Sequence, residues 1–100
     1  MWTTYRLTFL KSALKEWEGL DNQIKLQFKK KLIERLENPI AQKDKLSGLN
    51  DCYKIKLRTV GYRLVYKVVH NTITVQVIVI AKRDKNLVYE LSRRRLELVD

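Results

Sequence analysis

Between Thr72 and Ala81 the chain reads TITVQVIVIA, with Val75, Val77 and Val79 on one parity of an extended backbone and Ile78 and Ile80 on the other. Successive side chains of a strand point to opposite faces. A strand apolar on both parities therefore needs both faces covered, and this one is expected as a central strand, at least in its second half. Val77 to Ala81 is also the longest apolar stretch. It falls far short of the roughly 18–20 residues that cross a bilayer, so no membrane association is expected. Two further strand-like segments precede it. Cys52 to Arg58 alternates strictly, Tyr53, Ile55 and Leu57 against Lys54, Lys56 and Arg58. Gly61 marks a turn, Tyr62 to Val69 forms the next segment, and His70-Asn71 reads as a hairpin loop. Tight hairpins at 59–61 and 70–71 make these three strands a meander.

The first half has a different period. Tyr5, Leu7 and Phe9 alternate as a short strand; Leu10, Leu14 and Trp17 then follow a helical spacing that Gly19 can stop. Asp21 is positioned to cap a second helix whose Ile24, Phe28, Leu32 and Leu36 recur every four residues, flanked by Leu26 and Ile33. Lys25, Lys29, Lys30 and Arg35 occupy much of its outside, and Asn38-Pro39 ends it, because the residue before proline is pushed out of the α region. Joined by so short a turn, the two helices are expected as a hairpin. Residues 40–51 read as a loop. After the last strand, Asp84 can cap a helix with Leu87, Leu91 and Leu98 on one side and Arg93, Arg94 and Arg95 mostly outside. The order β-α-α-β-β-β-α predicts an α+β fold: a small, mostly antiparallel four-stranded sheet with an N-terminal helical hairpin and a C-terminal helix. At 100 residues, 45% of them apolar, the chain suits one domain spanning 1–100.

Charge carries the first functional information. Lys and Arg number 21 against 11 Asp and Glu, a net charge of +10. No acid occurs from Cys52 to Arg83, a stretch holding Lys54, Lys56, Arg58, Arg63, Lys67, Lys82 and Arg83. A surface tuned only for solubility would intersperse both signs. A polyanionic partner is the expectation: nucleic acid, an acidic protein segment or an anionic surface. Side chains two apart on a strand stand about 6.6–7 Å apart on one face, so Lys54, Lys56 and Arg58 form a row. Arg63 is a candidate neighbour across the turn, with its parity open by one residue. Lys82 and Arg83 leave the end of the central strand. Phosphates match such a set, arginine offering a bidentate fork and lysine a compact charge. The single cysteine, Cys52, excludes an internal disulfide and a cysteine-based zinc site. It points to the reducing cytoplasm, as does an N-terminus with Thr and Arg where a signal peptide needs an unbroken apolar run. No His/Asp/Glu cluster has ligand spacing, so neither a metal nor another cofactor is expected.

The segment DCYKIKLRTVGYRLVYKV (Asp51–Val68), preceded by KLSGL and followed by VIAKRDKNLVYE, resembles the RelE-type bacterial toxins of the RelE/ParE superfamily. The early ALKEW segment and the helix–proline break fit as well, and the resemblance covers nearly the whole chain. It implies a microbial-ribonuclease-like fold and a type II toxin–antitoxin module. It implies a ribosome-dependent endoribonuclease that cleaves mRNA in the A site and is neutralised by a cognate RelB-like antitoxin, the complex binding operator DNA to repress its own operon. The family's active residues fall on Lys54 and Lys56 of Tyr-Lys-Ile-Lys, Arg63 of Gly-Tyr-Arg-Leu, Arg83 of Ala-Lys-Arg and Tyr89 of Val-Tyr-Glu. Some close members carry a basic residue where this chain has Ser47, which bears on an auxiliary RNA contact and not on the chemistry.

That chemistry can be set out without the family. Cleaving RNA through its own 2′-OH needs a base for the 2′ proton, an acid for the 5′-leaving oxygen and cations for the charge built on phosphorus. The one histidine, His70, sits in the hairpin loop, and the basic stretch holds no acid. The base is then Lys54, Lys56 or Tyr89, all of types that titrate near 10 in isolation. Crowding by neighbouring cations lowers a lysine pKa. Arg63 is assigned to clamp the phosphate, Arg83 to stabilise developing charge and supply the leaving-group proton, and Tyr89 alternatively to stack on a base. RNA contacts are expected from Lys54, Lys56, Arg58, Arg63, Lys82 and Arg83. Two other classes stay open: a non-catalytic nucleic-acid-binding module and a ParE-like toxin with a different target. Tyr53, Tyr62 and Tyr66 are expected in or near the core, and Trp17 in the core of the helical hairpin.

Overall fold

In the computed structural model, which describes residues 4–82 and 85–98 (the backbone alone at 85, 86 and 98), the chain forms four strands, three α-helices and two 3-10 turns. In order these are β1 (Arg6–Phe9), α1 (Lys11–Glu18), α2 (Asn22–Glu37), a 3-10 turn (Gln42–Asp44), β2 (Cys52–Leu57), β3 (Tyr62–Val69), a second 3-10 turn (His70–Thr72), β4 (Thr74–Lys82) and α3 (Lys85–Leu98). The expected β-α-α-β-β-β-α order is the one found. The capping role read for Asp84 lies outside the described residues.

The sheet runs β1-β4-β3-β2. β2, β3 and β4 form the antiparallel meander, while β1 lies parallel to β4, so the sheet is mixed. Gly61, at φ +74°, closes the β2–β3 turn in the left-handed region that glycine enters without strain. The β3–β4 connection is longer than a two-residue hairpin: a 3-10 turn followed by Ile73 at φ +50°, so β4 starts at Thr74.

Both faces of the sheet are covered. On one, Ala13, Leu20, Phe28 and Leu32 of the helical hairpin bury Tyr53, Ile55, Leu57, Leu64, Tyr66, Val68, Val75, Val77 and Ile80. Trp17 packs there between Phe9 and Phe28, with ring centroids 5.5 and 6.4 Å away. On the other, α3 sets Val88 over Leu46, Cys52, Val65, Ile78 and Val79. The parity read from the sequence for β4 breaks midway. Val65 pairs with Val79 but Tyr66 with Val77, leaving Ile78 as an extra residue. This bulge moves Val79 to the α3 face and Ile80 to the hairpin face, so each core receives apolar side chains from one short strand.

α3 also packs differently from its leucine pattern. Val88 and Ser92 are fully buried, whereas Leu87 stays 44% exposed. Ser92 is small enough to let the helix approach the sheet, and its hydroxyl donates to the Val88 carbonyl at 2.8 Å. Arg95, read as an outward residue, turns inward. β1 accompanies β4 only as far as Val77, and beyond it Arg95 donates to the Ile78 carbonyl at 2.8 Å. Glu16 of α1 accepts from the Ile80 amide at 3.0 Å and pairs with both Arg95 amino nitrogens at 2.8 and 2.9 Å. The pair closes around that open strand edge and ties α1 to α3.

Candidate active site

The alternation of β2 decides where its lysines go. Tyr53, Ile55 and Leu57 are drawn into the hairpin core, which turns Lys54 and Lys56 to the α3 side. The register resolves the open parity of Arg63: it pairs directly with Lys56, while Lys54 pairs with Val65. Directly opposed side chains in an antiparallel pair stand about 4.5–5.5 Å apart at Cβ, so Lys56 and Arg63 are neighbours on one face. On its other side Arg63 faces Ala81 of β4, a small residue that leaves the level open. Arg83 lies outside the described residues.

Three hollows meet along this row. Lys56, Arg58, Gly61, Tyr62 and Arg63 line one at the β2–β3 turn. Tyr89 and Arg93 of α3 line a second of about 340 Å³ with Ser47, Leu49 and Lys54. A third, of about 480 Å³, lies between the β2 edge, α2 and the first 3-10 turn and is shared by Lys54, Lys56 and Arg58. Lys54 and Lys56 thus link all three, and Tyr89 stands across a hollow from Lys54. Ser47 lines that same hollow, beside the row. Lys82 is not brought to this face. It pairs with Tyr62 and holds its ammonium 5.9 Å from that ring's centroid, on the hairpin side.

The electrostatics single out Lys56. Lys54 first, then Arg63, with partial burial and Arg58 behind them, hold its ammonium below the usual lysine value, against an opposing pull from Asp44. Cation crowding destabilises one more positive charge, so the neutral amine is reached at lower pH than in a free lysine. Cys52, in line with Lys54 and Lys56 on the same face of β2, is fully buried, and desolvation pushes its thiol up to about 11, which leaves it an inert packing residue. Among the described residues no three His, Cys, Asp or Glu side chains gather to hold a metal.

One part of the site was not read from the sequence. Arg35, placed on the outside of α2, reaches the β2 edge: its Nη1 donates to the Lys54 carbonyl at 3.2 Å and to Tyr66 Oη at 2.9 Å. Its Nη2 meets Asp44 Oδ2 at 2.6 Å. The signal available was its place in the last helical turn, just before Asn38-Pro39, where an arginine can turn back over the following loop.

Comparison with known proteins decides the family. Residues 7–87 match the model of the ParE toxin of the type II toxin–antitoxin system, parDE. The chain is 48% identical over 92 residues to the mRNA interferase toxin RelE of Escherichia coli K12, covering 92% of this chain and 97% of that protein. It belongs to the RelE/ParE family of toxins. The RelE/ParE fold extends to the solved structures. A double arginine-to-alanine variant of E. coli RelE in the free state superposes with a TM-score of 0.86 at 46% identity, over 93% of this chain and 98% of that one. The toxin of the intact E. coli RelBE toxin–antitoxin complex gives 0.78 at 50% identity, over 80% and 98%. The α+β architecture read from the sequence is thus that of the RelE toxins.

Proposed function

We propose that this chain is the toxin of a type II toxin–antitoxin module, an endoribonuclease that cleaves mRNA in the ribosomal A site and so stops translation. The observation that carries the reading is the direct pairing of Lys56 with Arg63, beside Lys54, on one open face of a chain nearly half identical to an mRNA interferase. The work of the row can be written atom by atom. Arg63 holds a non-bridging phosphate oxygen through its fork. Neutral Lys56 takes the 2′-OH proton as the 2′ oxygen attacks phosphorus; Lys54 and Tyr89 are the other candidate bases. The bond to the 5′ oxygen breaks as Arg83 supplies a proton, leaving a 2′,3′-cyclic phosphate and a 5′-hydroxyl. Lys54 and Arg58 add positive charge for the phosphorane-like transition state. Tyr89 stacks on or orients a base across its hollow.

Neither lysine nor arginine is a strong acid or base near neutrality. Much of the rate must then come from holding the 2′ oxygen, phosphorus and leaving oxygen in line. That is the reason to give the ribosome a part, and it places the reaction in the cytoplasm. An antitoxin partner is supported by the solved RelBE complexes. A +10 domain suits an acidic, amphipathic segment, and operator DNA would be reached through that complex alone.

The test is primer-extension mapping of a defined mRNA, naked and on ribosomes stalled at a known codon, with Arg83→Ala in parallel. Cuts confined to the A-site codon and lost in the variant are expected. Cuts on naked RNA as well would remove the ribosome from the mechanism. No cuts in either sample would favour a ParE-like toxin with another target or a module that only binds.

A further inference from the structure

The acid that bears on Lys56 is itself held elsewhere. The charged groups that share a hollow or a strand pairing with Lys56 are Lys54 and Arg58 from its own strand and turn, Arg63 from β3, Lys31, Glu34 and Arg35 from α2, and Lys43 and Asp44 from the first 3-10 turn. Of the two acids, Asp44 is the one that opposes the cations at Lys56. Yet Asp44 is engaged by Arg35 at 2.6 Å, with the two side chains only 21% and 16% exposed. Arg35 is fixed from several sides. Beyond Asp44 it donates to the Lys54 carbonyl and to the phenol of Tyr66, which is fully buried and donates in turn to the Pro39 carbonyl at 2.8 Å. Its guanidinium carbon lies 5.7 Å from the Tyr66 ring centroid. An arginine with this many simultaneous partners is not a drifting surface ion pair, whose two long side chains would lose much of their attraction to entropy and solvent.

We propose that Arg35 is a positioning residue acting on the lysine row through Asp44: it retains that carboxylate on its own fork and so keeps it from pairing with Lys56. A carboxylate paired to Lys56 would stabilise the ammonium and withhold the neutral amine needed to accept a proton. The bond to the Lys54 carbonyl serves the same end, because it pins the edge strand from which both lysines project. The consequence for catalysis rests on the reading of Lys56 as base, but the hold on Asp44 does not.

The experiment is therefore read twice, in the full-length protein. Lysine Cε labelled with carbon-13 reports the Lys56 titration by NMR, and single-turnover cleavage on ribosomes reports the pH–rate profile. Arg35→Gln is expected to move the Lys56 midpoint upward and to lower the rate at pH 7 about three- to tenfold. Arg35→Gln combined with Asp44→Asn should return both to wild type, although the Arg35–Asp44 ion pair is gone in each variant. The conservative Arg35→Lys keeps a cation on Asp44 and should leave the midpoint in place, which secures the test against poor folding of the glutamine variant. An unmoved midpoint in Arg35→Gln, or one that the added Asp44→Asn does not restore, would overturn the inference and leave Arg35 a structural residue. A midpoint that moves and returns without any response in the rate would support the hold on Asp44 and overturn Lys56 as the base.

Discussion

The base role proposed for Lys56 is at odds with its ordinary chemistry, since a lysine near neutrality is a cation and a base must be neutral. The surrounding Lys54, Arg63 and Arg58 shift it in the useful direction. The sign is simple: below its folded pKa the neutral fraction rises tenfold per pH unit, so cleavage should accelerate with that slope from neutral into alkaline pH. Lys56→Arg, which retains the charge but cannot lose its proton in this range, should flatten the profile. Survival of the rise in that variant would pass the role to Lys54 or Tyr89. The same crowding bears on stability. Because the folded pKa is depressed, the repulsion is fully present below it and is relieved as pH rises through it, so Lys56→Met should be at least as stable as wild type at pH 7 in urea titrations. Tyr66 shows the opposite use of a polar group: burial pushes its phenol up while the Arg35 hydrogen bond pulls it back. Tyr66→Phe removes a donor to Pro39 and an acceptor for Arg35, and should cost about 1–2 kcal/mol in the same assay.

At the scale of elements, the open edge of β4 beyond Val77 is finished by side chains instead of a strand. Glu16 supplies the acceptor that the Ile80 amide needs and Arg95 the donor for the Ile78 carbonyl. Glu16→Ala should cost about 1.5–3 kcal/mol, the range for hydrogen bonds to charged groups, measured by urea unfolding. Exchanging the two charges should not restore the loss, because the backbone groups of the bulge would then face the wrong partners; recovery in the exchanged variant would show that only the ion pair matters. The strict alternation of Cys52–Arg58 made β2 legible, and with it the shared face of Lys54 and Lys56, since period two has a single solution once one parity is apolar. The face of Arg63 was not legible: it depends on the turn geometry at Gly61, which one residue more or less would invert. The bulge at Ile78 left no mark in a run apolar on both parities. Arg35 and Arg95 read as solvated helix charges because periodicity cannot report a free strand edge or a loop carbonyl lying within an arginine's reach. Ser92 hid the true buried ridge of α3 behind a more conspicuous leucine pattern.

Across the whole molecule, the two cores divide the labour. The hairpin core carries most of the buried aromatic and aliphatic side chains, while the α3 core is small and shares its face of the sheet with the basic row. The acid-free stretch from Cys52 to Arg83 concentrates positive potential on the side of the sheet that α3 only partly covers. Association with RNA should therefore weaken steeply with salt, and each lysine removed from the row should reduce the logarithmic slope by about 0.7 for a single strand. Lys82, on the other side with Tyr62, should change the slope less than Lys54 when each is replaced by alanine and binding is followed by fluorescence anisotropy. On the proposed function the row does chemistry and does not merely hold RNA. The most direct measurement compares single-turnover cleavage with ribosome-bound affinity for wild type and Arg63→Ala. The expected result is a rate lowered about a hundredfold or more with affinity changed only a few-fold, the mark of an interaction strengthened in the transition state. A rate loss matched by an equal loss of affinity would contradict it and reduce the row to a binding surface.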